Sequence, residues 1–275
     1  MSTEPFKEVY RSLSDRITEK RYHSASPIRR HAHRTQYETI VALIPAGCSV
    51  LDAGCGEGVL SILLAQKGCR VTGLDYSAPN VEAAKAYARE AGVEDRTTFL
   101  EGDAEHVPFP DRSFDWVVSS HVLEHLPDFV QGAREIARVA HAGAVVAVPT
   151  CLGPASWVLL GGDKFWTVSR RTPIAIFIGL FRVLGALLRE EEGVDERYEG
   201  RHELPHISRF PWRARRLLEE GGLHVRTQRA SSFTLPYVTF LVPLSRFLER
   251  FAGVPILRSL GHGTTFACTS SGSVS

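Results

Sequence analysis

Between residues 49 and 148 the chain sets five short apolar runs, 49–52, 70–75, 97–100, 114–118 and 144–148, among stretches of helical character at 59–66, 81–91 and 129–140. Such runs are too short for stable helices and too apolar for surface loops, so they read as buried strands. Strands that alternate with helices build a parallel sheet covered on both faces. Gly68 and Gly92 close the first two helices, where the chain must leave a helix through a left-handed turn. The expectation is an α/β fold.

The rhythm breaks after Pro149. Residues 150–205 form a long insertion, apolar first and highly charged later. A helix is expected at 211–220, with Pro211 at its start and Gly221 and Gly222 at its end. Residues 223–228 read as a sixth strand and 263–268 as a last one, separated by a second apolar insertion at 231–260. Ahead of the first strand, residues 5–44 look helical, with Tyr37, Ile40, Val41 and Ile44 recurring at helical spacing before Pro45-Ala46-Gly47 stops them. The organisation expected is a helical cap at 1–48, a core at 49–149, an insertion or lid at 150–210, and a return to the core at 211–275. The tail from Thr269 reads as a frayed end.

With 275 residues, 44% of them hydrophobic and 23% charged, the chain can bury a large core. That composition excludes wholesale disorder, a coiled coil and a collagen-like fibre. The net charge of +1 hides basic ends (net +3 over 1–50, net +5 over 151–275) around an acidic middle (net −7 over 51–150). The arginines at 29, 30, 34, 213, 215 and 216 read as solvated helix faces, and no nucleic-acid module accompanies them, so no nucleic-acid partner is expected. The five cysteines are scattered without a CxxC pair, which excludes a zinc knuckle and a disulfide framework and suits a reducing compartment. No apolar signal core opens the chain, glycines and prolines interrupt 142–162, and 174–181 is one short helix ended by Arg182. The expected location is cytoplasmic, with no membrane-spanning helix.

The most informative loop joins the first strand to the first helix: Val50-Leu-Asp-Ala-Gly54-Cys-Gly56-Glu-Gly58. Glycines let the backbone turn sharply and approach a ligand closely. The GxGxG spacing departs from the dinucleotide GxGxxG, and no Lys-Ser/Thr follows to make a phosphate loop. A nucleoside ligand without phosphates fits better. Three acids support this. Asp52 precedes the glycines, Asp75 ends the second strand where it can accept from a ribose diol, and Asp103 follows the third strand where it can accept from an adenine amine. Any one acid could be a helix cap or a solvated loop; the three together with the loop converge on one crevice.

The runs VLDAGCGEG, GLDYS and GDAEHVPFPDRSFDWVVSSHVLEHL resemble class I S-adenosylmethionine (SAM)-dependent methyltransferases, nearest the ubiquinone and menaquinone methyltransferase-like branch. The resemblance covers residues 49–148. It implies a Rossmann-like seven-stranded sheet with its last strand antiparallel, here carrying two apolar insertions, and SAM as cofactor. It also implies that Gly54, Cys55 and Gly56 pass under the methionine moiety, with Asp52 bracing the loop. Asp75 would bind the ribose hydroxyls with Tyr76 beside the adenine, and Asp103 and Ala104 would hold the adenine edge. Ser119, Ser120 and His121 would lie near the methyl-bearing sulfur.

His121-Val-Leu-Glu124-His125 spells an HxxEH that also resembles a metalloprotease signature. That chemistry needs both histidines on one long helix, and Pro127 cuts any helix here short. Quinone-pathway O-methyltransferases carry ExxEH at this place, which resembles a divalent-metal site; His121 replaces the first Glu and removes an oxygen ligand that Mg²⁺ prefers. No obligatory metal is expected.

Methyl transfer to a hydroxyl, phenol or carbon acceptor needs a base. His121 is the expected one; His125 is a second candidate, and His202 and His206 could close over the site. The two insertions contain Trp157, Leu160, Phe165, Trp166, residues 174–178, Phe233 and residues 237–242, bordered by arginines at 170, 171, 182, 189, 246, 250 and 258. They read either as a lid or homodimer interface, or as a surface that meets a membrane headgroup region and admits a lipid-like acceptor. The expected function is methylation of a small hydrophobic acceptor: a lipid, quinone or natural product. A polar metabolite or macromolecule as acceptor, or a SAM-binding regulator without catalysis, are the alternatives.

Overall fold

The computed structural model describes residues 22–25, 27–153, 156–157, 160, 172–195, 206–231, 233 and 242–270. The chain order is α1 (Pro27–Leu43), β1 (Ser49–Ala53), α2 (Val59–Gln66), β2 (Arg70–Asp75), α3 (Ala78–Glu90), β3 (Thr97–Glu101), β4 (Phe114–Ser120), α4 (Phe129–Val139) and β5 (Ala140–Pro149). There follow α5 (Thr172–Leu188), β6 (Gly193–Asp195), β7 (Ile207–Arg209), α6 (Pro211–Glu220), β8 (Leu223–Ser231), α7 (Val242–Glu249) and β9 (Gly263–Ser270).

Seven strands form one sheet in the order β3-β2-β1-β4-β5-β9-β8, and β9 runs antiparallel to both β5 and β8. The order reverses between β1 and β4, and the crevice beyond their carboxyl ends is where an open parallel sheet binds ligands.

Alternation along each strand builds two cores. Leu51, Val117 and Val146 point to the side covered by α4 and α6, with Phe129, Ile136, Leu217, Leu218 and Phe266. Their neighbours Val50, Val118 and Val145 point to the side covered by α1, α2 and α3, with Ile40, Ile44, Leu64 and Val81. This two-residue period, buried on both faces, explains the near-continuous apolar runs. The helices start at readable caps: Ser77 accepts from the Asn80 amide to open α3, and Asp128 from the Gln131 amide to open α4.

The first insertion has a small core of its own. Leu160, Val183, Ala186, Val194 and Phe210 pack with Cys151. β6 and β7 pair antiparallel, and the Cys151 amide donates to the Arg209 carbonyl at 3.1 Å, so this hairpin continues off the carboxyl end of β5.

Several boundaries differ from the sequence expectation. α5 does not end at Arg182 but runs to Leu188, because the Arg182 guanidinium reaches the Leu160 carbonyl and leaves the helix uninterrupted. α4 ends at Val139, and β5 begins at Ala140 rather than Ala144. Thr269 and Ser270 are not frayed: β9 includes both, and Ser270 pairs with Leu223. The helix expected over 5–44 is described from Pro27 onward; residues 1–21 lie outside the described residues, as do Phe165, Trp166, Arg170, Arg171, His202, 234–241 and 271–275. Among the described residues no helix is long and apolar enough to cross a membrane.

Candidate functional site

The glycine loop leaves β1 with Gly54, Gly56 and Gly58 all at positive φ (81°, 52° and 79°). The amides of Gly54 and Cys55 both donate to the Leu74 carbonyl, at 2.7 and 3.0 Å, which ties the loop to the end of β2. A Cβ on Gly54 would come within 2.2 Å of Val122 Cγ2. Behind the loop, Asp52 is buried and accepts from Ser61 Oγ at 2.6 Å. Burial pushes its carboxyl up to about 7; the Ser61 bond opposes this and the charge of Asp75 adds to it.

Asp75 ends β2. One carboxylate oxygen accepts from the Gly56 amide at 2.7 Å, the other from the Ser77 amide at 3.0 Å and Asn80 Nδ2 at 3.1 Å. Burial raises its carboxyl pKa against these three bonds. Tyr76 follows, half-buried. Asp103 lies two residues past β3; it accepts from the Glu105 amide at 2.9 Å and stands 3.4 Å from His106 Nδ1, with Ala104 buried beside it. Glu105 is itself buried and accepts from the Asp128 amide at 2.8 Å, fixing this loop to the start of α4. Asp52 pairs in register with Gly73, and Asp75 with Glu101, so the three aspartates sit at or beyond the carboxyl ends of adjacent strands.

At the end of β4, Ser119 and Ser120 carry buried hydroxyls without a hydrogen-bond partner. His121 turns the chain with φ 58°, a conformation uncommon outside glycine, and its amide donates to Ala147. Its ring lies between two side chains: Nδ1 is 3.0 Å from Glu124 Oε1, and Nε2 is 2.8 Å from Gln36 Oε1 on α1. Glu124 is 1% exposed and gathers three imidazoles, with His206 Nε2 at 3.9 Å and His125 Nε2 at 4.0 Å from the same oxygen. Burial acts to raise its carboxyl; the His121 bond and the charges of the three imidazoles outweigh this and hold it at about 2. Its other oxygen, Oε2, is buried without a partner.

Glu124, His125 and His206 each offer a donor atom, all within 4.8 Å of one another, the one such group among the described residues. The HxxEH does not lie on one helix: Leu123–His125 is a single 3-10 turn, as Pro127 leads one to expect. His206 arrives from the insertion just ahead of β7, with its ring centroid 4.6 Å from that of His125.

Two residues here carried no signal in the sequence. Gln36 is one polar position in a helix of many. Arg209 is a lone arginine in a charged stretch, yet it is buried, with its guanidinium 4.5 Å from the Phe129 ring centre and 3.6 Å from Glu192. Burial lowers its pKa, and the charges of Glu192 and Glu124 pull the other way.

Residues 51–148 match a protein family described as "Methyltransferase domain". The chain is 42% identical over 106 residues to methyltransferase GfsG of Streptomyces halstedii, covering 38% of this chain and 38% of that protein. It is 34% identical over 148 residues to the ubiquinone biosynthesis O-methyltransferase of Paracidovorax citrulli, covering 52% and 54%. The chain thus spans from about two fifths to about half the length of these relatives. Among solved structures, the magnesium protoporphyrin IX methyltransferase of Synechocystis with bound SAH shares the fold, with a TM-score of 0.61 at 18% identity, covering 98% of this chain and all of that one.

Proposed function

We propose that this chain, whose residues 51–148 match a methyltransferase-domain family, is a SAM-dependent methyltransferase that transfers the methyl group of SAM to a small hydrophobic acceptor. The observation that supports the reading is that the glycine loop, three aspartates and two unpartnered buried serine hydroxyls all lie at or just past the carboxyl ends of the neighbouring strands β3, β2, β1 and β4. Those groups fit the cofactor. The aspartates suit a ligand rich in hydroxyls, amines and positive charge, and the serine hydroxyls lack the partners that buried polar groups require.

In this reading Gly54, Cys55 and Gly56 run under the methionine part, and Asp52 braces them through Ser61. Asp75 accepts the ribose hydroxyls, already oriented by Gly56, Ser77 and Asn80. Tyr76 lies beside the adenine, and Asp103 and Ala104 hold its edge. Ser119 and Ser120 face the region of the sulfonium. SAM supplies an activated methyl carbon, so the protein's own work is alignment, exclusion of water and removal of the acceptor's proton.

His121 is the proposed base. The ionised Glu124 fixes the proton on Nδ1, which leaves Nε2 to accept, the division of roles seen in carboxylate–histidine pairs. As placed, Nε2 faces Gln36 Oε1, while Gln36 Nε2 is buried without a partner. Reversing the Gln36 amide presents a donor to His121 Nε2 and keeps that nitrogen unprotonated. The acceptor hydroxyl would take the place of the Gln36 amide. No metal is required for this step.

A hydrophobic acceptor is supported by the apolar faces the insertions leave in solvent: Ile174, Phe177, Ile178, Phe181, Leu184 and Leu188 on α5, and Leu244 and Phe247 on α7. The α5 residues recur every three to four positions, an unpartnered stripe that suits peripheral contact with a membrane from which such an acceptor is drawn. A second copy of the chain seated on that stripe is the other reading.

The test is to incubate the protein with methyl-labelled SAM and a cell extract and to partition the products. Label in the organic phase above a protein-free control supports a lipid, quinone or natural-product acceptor. Label confined to the aqueous phase replaces it with a polar acceptor, and no label at all points to a SAM-binding protein without turnover.

A further inference from the structure

A second concavity, outside the crevice, lies between α1 and α7 and encloses about 410 Å³. Arg30 and Arg34 line it from successive turns of α1, and Arg246 lines it from α7. Gln36, which reaches His121, is two positions from Arg34 and so points about 200° away around the helix; the concavity and the crevice occupy different sides of α1.

Two of the arginines are held in place, and none is neutralised by an ion pair. Arg30 Nη1 donates to the Ser24 carbonyl at 2.6 Å, and Arg34 Nε to the Tyr22 carbonyl at 3.1 Å. Those bonds orient two guanidiniums and leave most of their N–H groups over. Among the described residues no carboxylate lies within ion-pair distance of Arg30, Arg34 or Arg246. Glu249 does line the cleft, but its Oε1 is taken by His31 Nε2 at 3.0 Å and Ser245 Oγ at 3.1 Å, a bonded floor that pins α1 to α7. Glu38 also lines the cleft and is exposed. The result is a cleft that three guanidinium groups line, two of them bonded in place, beside the carboxylates of Glu38 and Glu249.

Planar forks match the oxygens of a tetrahedral anion, and charge-assisted bonds to them are stronger than neutral ones. A cup of this size takes one phosphorylated head rather than a polymer backbone. Next to Arg246 on α7, Leu244, Phe247 and Phe251 are about half exposed, so an apolar surface adjoins the charged one. We propose that the cleft between α1 and α7 binds a phosphate group through Arg30, Arg34 and Arg246. The shared chemistry is the phosphate; it comes either from a free phosphorylated metabolite or from a lipid headgroup whose tail meets Leu244, Phe247 and Phe251. The proposal does not depend on the methyl-transfer reading.

The test is binding to the full chain of inorganic phosphate, by calorimetry, and of phosphatidylcholine vesicles with and without phosphatidic acid, by sedimentation. Arg34→Ala and Arg246→Ala are compared with wild type, and the far-UV circular dichroism spectrum with its thermal midpoint serves as the check of folding. Removing either arginine is expected to weaken binding about tenfold or more. Binding of both probes with that loss supports a free phosphate ligand. Binding confined to vesicles that carry phosphatidic acid, with the same loss, supports a lipid source. Binding to neither probe by folded wild type, or binding unchanged in both folded variants, overturns the proposal.

Discussion

His121 and Glu124 are joined at 3.0 Å, imidazole Nδ1 to carboxylate Oε1, in a turn where His121 takes a left-handed backbone conformation. The carboxylate is sealed from solvent and the ring is one third exposed. A buried acceptor-only group thus sets which nitrogen of a partly exposed histidine carries the proton.

From that pair, His121→Ala is expected to lower kcat by about 10²–10⁴ while leaving SAM affinity unchanged. Gln36→Ala, which frees Nε2, should retain or raise activity. Steady-state kinetics beside SAM titration check this. If the two variants lose activity and thermal stability in parallel, His121 is a packing residue and not the base.

Gly54→Ala should damage both fold and binding. The residue has φ 81°, and its new Cβ would meet Val122 Cγ2 at 2.2 Å. A left-handed conformation alone costs a non-glycine residue roughly 1–2 kcal/mol. A lowered urea midpoint and weakened SAM binding are expected. Adding Val122→Ala should recover part of the stability, since it removes the clash but not the strained φ; no recovery would mean the clash is not what matters.

Asp52 predicts a pH dependence. Its folded-state carboxyl lies at about 7, against an ordinary value of 3.8. Between those values the folded chain keeps a proton that the unfolded chain has released. The sign follows: stability contributed by the protonated form is full below the lower value and falls as pH rises through the window. Asp52→Asn stays neutral throughout. Urea unfolding at about pH 4, 5.5, 7 and 8 should show wild type losing stability across the window relative to the variant. Parallel profiles would place the Asp52 carboxyl in its ordinary range.

Turnover should survive a strong chelator. Glu124, His125 and His206 stand close enough to share an ion, but they offer a single carboxylate, one of whose oxygens is bonded to His121, where Mg²⁺ wants several oxygens. Activity that vanishes in chelator and returns with Mg²⁺ or Zn²⁺ would make the cluster an essential metal site.

The main sheet was legible in the sequence because strands buried on both faces read as uninterrupted apolar runs, as at Val50-Leu51 and Val145-Val146. The positions of Asp52, Asp75 and Asp103 followed, since each sits at or just past a strand end. The β6–β7 hairpin was not legible. Each strand has three residues, too few for a period, and the pair is fixed by contacts with the far end of β5. Arg182 looked like a helix end because charge usually marks solvent; here it folds back on a carbonyl and α5 continues. Gln36 and Arg209 reach the cleft only through tertiary packing, which leaves no local pattern to read. His206 was recognisable as a residue in the insertion, but its place beside His125 comes from where the hairpin docks.

The central claim is that the crevice over β1, β2 and β3 holds SAM through Asp75 and the glycine loop. Equilibrium dialysis with labelled SAH, on wild type and Asp75→Ala, tests it most directly. The account predicts saturable one-to-one binding by wild type and at least about a tenfold loss in the variant, because a half-buried carboxylate that accepts two hydroxyls is removed. Wild type that fails to bind, or a folded variant that binds as well as wild type, would contradict it.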